Sequence, residues 1–99
     1  MDRKNLSKIE RDLNNLLRSP GGIKSKTLIS IAKKLGRVLD NRGKEPTYIR
    51  TKDPSLSPPL SIPNHKGKDL KTGTARSIID ALINDVDEWK LYFETESKK

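Results

Sequence analysis

Residues 61–78 read Ser61-Ile62-Pro63-Asn64-His65-Lys66-Gly67-Lys68-Asp69-Leu70-Lys71-Thr72-Gly73-Thr74-Ala75-Arg76-Ser77-Ile78, and this stretch decides the fold. Ile62-Pro63 closes a short strand, because proline brings no N–H to a ladder. Ile78 opens the most apolar helical pattern in the chain. Ile78, Leu82, Val86, Trp89 and Phe93 step by 4, 4, 3 and 4 and share one face, which Ile79 and Ile83 widen. Thr72 is the expected N-cap of a helix over about 73–93, followed by a polar, fraying tail at 94–99. A helix start collects unpaired N–H groups and a partial positive charge. Lys66, Lys68, Lys71 and Arg76 surround this one and predict a phosphate site; the plain alternative is a solvated charged loop.

Working towards the N-terminus, Leu60-Ser61-Ile62 reads as a third strand and Thr47-Tyr48-Ile49-Arg50 as a second, rich in β-branched and aromatic residues. Pro54, Pro58 and Pro59 mark the loop between them. Arg37-Val38-Leu39-Asp40-Asn41 reads as a first strand, with Arg42-Gly43-Lys44 as the turn after it. Before the strands, Leu28, Ile31, Ala32 and Leu35 line one face of a helix capped by Ser25 and stopped at Gly36, with Ile29 on the flank. A further helix carries Leu6, Ile9, Leu13, Leu16 and Leu17, with Ser7 and Glu10 at capping-box spacing and a stop at Ser19-Pro20-Gly21-Gly22. The order helix, helix, three strands, helix is an α+β sandwich, its antiparallel sheet covered on one face.

Ninety-nine residues make one domain with one modest core. Only four residues are aromatic, too few for a base-stacking sheet. No cysteine is present, which excludes disulfides and thiolate metal sites. No His/Asp/Glu cluster has zinc or calcium spacing and no phosphate-loop or dinucleotide motif occurs, so neither a metal nor a small-molecule cofactor is expected. No apolar run has the length of a membrane span and no signal-peptide pattern opens the chain, so the expected place is the cytoplasm. The net charge of +8 is uneven: residues 1–52 carry 14 Lys/Arg against 5 Asp/Glu, whereas residues 74–99 carry 4 against 6. That asymmetry points to a nucleic-acid contact on one side. Asp80, Asp85, Asp87 and Glu88 read as the solvated face of the last helix.

The run from Ser61 to Ile78 resembles the HicA family of bacterial toxins, in which a strand ending in Val/Ile-Pro leads through a lysine-rich loop into a Gly-Thr helix start followed by Arg-Ser-Ile. Ile23-Lys24 through Leu35-Gly36 is similar to the helix that leads into the first strand of longer members. The resemblance implies a double-stranded-RNA-binding-like α-β-β-β-α fold, here a core at 23–93 with an extra N-terminal helix at 1–20. It also implies metal-independent cleavage of messenger RNA and neutralisation by a HicB-like antitoxin. The chain departs from the family at one point: Pro46 or Thr47 stands where the family carries its catalytic histidine.

Cleavage of this kind needs a base for the 2′-hydroxyl proton, an acid for the leaving oxygen and cations around the phosphate. His65 is the only histidine, and Lys66, Lys68 and Lys71 beside it favour its neutral, proton-accepting form. Its alternative role is a phosphate or packing contact. Glu45 is the second candidate base, against an ordinary exposed turn glutamate. Arg42 and Lys44 are second-rank RNA contacts, of the kind that span grooves without reading bases. Two rival readings stand beside an RNA-cleaving toxin: a non-catalytic nucleic-acid-binding module of the same fold, and a protein-interaction domain that works through its acidic C-terminal helix.

Overall fold

The computed structural model describes residues 2–40, 46–50, 59–63 and 69–97. Helix α1 (Arg3–Arg18) buries Leu6, Ile9 and Leu13 on one face. It starts earlier than the Ser7–Glu10 spacing predicts. Asp2 takes the N-cap, its carboxylate accepting from the Asn5 N–H at 2.7 Å. Ser7 and Glu10 therefore lie inside the helix, where the backbone N–H groups already bond to carbonyls four residues back.

The turn after α1 passes through Gly22, whose φ of 75° favours glycine. Helix α2 (Ser25–Lys34) follows. Ser25 is not its cap but its first residue, and it is buried; Lys24 holds the N-cap position, and its side chain does not cap the helix. Gly36 ends the helix as expected, at φ 95°, with its N–H donating to the Lys33 carbonyl at 3.0 Å.

Strands β1 (Arg37–Asp40), β2 (Thr47–Arg50) and β3 (Leu60–Ser61) form an antiparallel sheet in the order β1-β2-β3. The register pairs Val38 with Ile49, Leu39 with Tyr48, and Tyr48 with Leu60. Ile62, expected as the last residue of the third strand, lies beyond it, although its N–H reaches the Pro46 carbonyl at 3.3 Å and its side chain is fully buried. Asn41 and the turn expected at 42–44 lie outside the described residues.

Helix α3 (Thr72–Ser97) exceeds its expected span at both ends, so 94–97 are helical rather than a frayed tail. Ala75, Ile78, Ile79, Leu82 and Val86 are buried along it. Helices α2 and α3 pack against the sheet, and α1 packs against α3. The two run antiparallel: Arg3 bonds to the Phe93 carbonyl near one end of each, and Glu10 pairs with Lys90. Leu6, Ile9 and Leu13 join the same buried cluster as Leu28, Leu35, Ile62 and Leu82. Trp89 ties α3 to the end of α2, its Nε1–H donating to the Leu35 carbonyl at 2.8 Å.

One reading of α3 is overturned. Asp85, expected on the solvated face, is 1% exposed. Its two oxygens accept from Nε and Nη2 of Arg37 at 2.6 and 2.9 Å. Arg37, also buried, spends Nη1 on the Tyr48 carbonyl at 2.7 Å. A carboxylate can face the core here because a planar guanidinium supplies a matched pair of donors. Asp80 and Asp87 remain exposed.

Candidate nucleic-acid interface

The starts of α2 and α3 lie side by side. The Leu70 N–H donates to the Ile23 carbonyl at 2.8 Å, and Lys24 and Asp69 form an isolated antiparallel bridge. The Lys24 ammonium reinforces it with an ion pair to Asp69 at 3.1 Å. This non-local clasp joins the segments just before the two helices. Both partially positive helix ends are thereby brought to one end of the molecule.

The charges at these starts run against what helix stability favours. A helix start is stabilised by acidic or hydrogen-bonding caps, and α1 has that arrangement in Asp2. Lys24 flanks the start of α2, and neither α2 nor α3 has an acidic residue in its first turn. At α3 the Ala75 N–H donates to the Lys71 carbonyl at 2.9 Å, so Lys71, rather than the expected Thr72, takes the flanking position. Lys26, Lys71 and Arg76 are exposed. Gly73 is open, with nothing within 4 Å of where a Cβ would stand. Exposed cations and the positive poles of two adjacent helix ends can hold a phosphodiester backbone.

Of the residues read as RNA contacts, Lys71 and Arg76 fall in this region. Lys66, Lys68, Arg42 and Lys44 lie outside the described residues, as do the candidate bases His65 and Glu45. Lys24 and Lys26, which stand on either side of Ser25 at the start of α2, are not among the sequence-predicted contacts; a lysine on each side of a helix-opening serine is the pattern that marks them.

The segment aligned with the family's catalytic histidine is described. Pro46 is half-buried and its carbonyl serves the Ile62 N–H. Thr47 sits in the sheet between Asp40 and Ser61. Neither side chain can move a proton near neutral pH. Among the described residues, no group of three or more His, Asp or Glu could hold a metal ion. Among them too, no helix is long and apolar enough to cross a membrane.

A family model described as the HicA toxin of bacterial toxin–antitoxin systems matches residues 25–82. No curated protein and no solved structure matches the chain significantly. The matched span runs from the first residue of α2 to Leu82 in α3, so it includes the sheet and both helix starts and leaves out α1.

Proposed function

Because the chain belongs to the HicA family of toxins from bacterial toxin–antitoxin systems, we propose that it acts by gripping RNA on the adjoining starts of α2 and α3. One observation carries this reading: lysines flank both helix starts, where the fold alone would favour acids. Lys71 and Arg76 contact phosphate, and Lys26 extends the contact onto α2, while Lys24 holds the two starts together through Asp69. Recognition is by backbone and shape, which suits a chain with four aromatic residues and no stacking platform. The cognate antitoxin, HicB-like as the family implies, neutralises the toxin by covering this basic end.

The test is fluorescence anisotropy with a labelled RNA hairpin across a salt series. Lys71→Gln/Arg76→Gln lowers affinity about tenfold and reduces the log–log salt slope by about 1.5. An unchanged slope would remove the proposal's basis. Cleavage of messenger RNA is the finer reading, with His65 or Glu45 as base. On induced expression, wild-type protein shortens transcripts, while the variant lacking the base (His65→Ala or Glu45→Ala) binds RNA and leaves transcripts intact. Pro46 and Thr47, in place of the family's histidine, favour a second reading, an RNA-binding component without cleavage. That reading is upheld if wild-type protein binds the hairpin and leaves transcripts intact. The acidic-helix alternative has lost Asp85, which is committed to Arg37.

A further inference from the structure

Helix α1 lies outside the span matched to the family, yet it forms one wall of a furrow whose other wall is α2. Two adjoining grooves make up this furrow. One, of about 530 Å³, is lined by Asn15, Leu16, Lys26, Ser30 and others. The second, of about 310 Å³, is lined by Asn5, Lys8 and Ile9. Asp12 and Lys34 line both, so the furrow is continuous. Lys26 stands at the end nearest the adjoining helix starts. Lys8 and Lys34 stand at the far end, eight residues further along α2 and so about 12 Å away.

Lys8, Lys26 and Lys34 are exposed, and among the described residues none forms an ion pair. By contrast, Lys24, Arg37 and Lys90 each meet a carboxylate. Among the described residues, Asp12 is the only acid lining the furrow. Lys8 from α1 and Lys34 from α2 face one concave surface with Asp12, and with Lys26 the furrow carries three lysines against one lining carboxylate, a net positive charge that favours an external anion. Asn5, Asn15, Thr27 and Ser30 add neutral hydrogen-bonding groups of the kind that contact phosphate and sugar.

We propose that the lysine-edged furrow between α1 and α2 is a second RNA-backbone contact, which carries the RNA on from the starts of α2 and α3. The proposal rests on the RNA-binding reading above and adds to it a role for the helix outside the matched family span. The occupant is RNA because the furrow is continuous in charge with the helix starts and its polar lining suits a sugar–phosphate chain.

The experiment compares four full-length proteins against one labelled RNA hairpin, long enough to reach both regions, over a salt series. They are wild type, Lys71→Gln/Arg76→Gln, Lys8→Gln/Lys34→Gln, and Asp12→Asn; Lys26 is kept because it also stands at the start of α2. The furrow variant Lys8→Gln/Lys34→Gln is expected to bind about fivefold more weakly, with a salt slope smaller by about 1.5. Asp12→Asn is expected to bind about twofold more tightly, a change of sign that a structural role would not produce. Circular dichroism confirms that all four fold. If wild type binds and Lys71→Gln/Arg76→Gln weakens it while the furrow variant binds like wild type, the furrow proposal is overturned and the helix-start reading stands. If wild type does not bind the hairpin, both fail together. A furrow variant with normal RNA binding that escapes its antitoxin would assign the furrow to a protein partner and overturn the proposal.

Discussion

The contact between β1 and α3 and the adjoining starts of α2 and α3 treat charge in opposite ways. At the first, Arg37 and Asp85 are buried and paired with each other, and Arg37 also donates to the Tyr48 carbonyl. At the second, Lys26, Lys71 and Arg76 stand exposed on helix ends whose own field repels them. The buried pair is matched within the fold, whereas the exposed cations are the ones the RNA-binding proposal draws on. The contrast makes the two regions separable by mutation.

The largest effect belongs to the buried pair. Asp85→Ala leaves a guanidinium uncompensated in the core and is expected to lower unfolding stability by about 3–5 kcal/mol in urea denaturation. Arg37→Met/Asp85→Leu removes both charges and is expected to recover most of that loss. If the double variant were as unstable as the single, the pair would be more than a matched charge. The middle effect has opposite signs in the two assays. Lys71→Asp supplies the cap that α3 lacks and is expected to stabilise the fold by about 1 kcal/mol, while RNA affinity falls at least tenfold. Loss of both stability and binding would merge the two regions and break the contrast.

The smallest effect comes from the surface pair of Glu10 and Lys90. The hydrogen bond to Glu10 raises the Lys90 pKa above the ordinary lysine range, helped by the nearby charges of Glu10 and Asp87 and opposed by slight burial. A raised lysine stabilises the fold fully below its ordinary value of about 10.4 and loses that contribution as pH rises through the raised one. Both partners are substantially exposed. Glu10→Gln should therefore cost under about 1 kcal/mol at neutral pH, and the difference should vanish above that window and in high salt. A larger cost would mean that surface pairing holds α1 to α3.

Local pattern made most of this architecture legible. The 3.6-residue spacing of Leu6, Ile9 and Leu13 and of Ile78, Leu82 and Val86 predicts helices with those residues buried, and they are. Thr47–Arg50 forms a strand over its predicted span, and Gly36 stops α2. What local pattern could not supply is a partner far along the chain. Asp85 looks solvated because aspartate is polar, and its partner lies 48 residues away. The clasp of Lys24 with Asp69 spans 45 residues and is likewise invisible to spacing. Ser7, with Glu10 at capping-box spacing, and Ser25 have the side chains of caps, but Asp2 and Lys24 hold the cap positions, because a cap is defined by backbone dihedrals. Of the RNA-contact candidates, Lys71 and Arg76 were legible as a helix start, while the nearness of α2 depended on the clasp.

The tie between Trp89 and the Leu35 carbonyl has an optical consequence. Trp89 is the only tryptophan of the chain, and its indole is anchored where the end of α2 turns into the sheet. Its emission therefore reports the docking of α3 on α2 without an attached dye. Denaturation will expose the ring to solvent and shift that emission to longer wavelength.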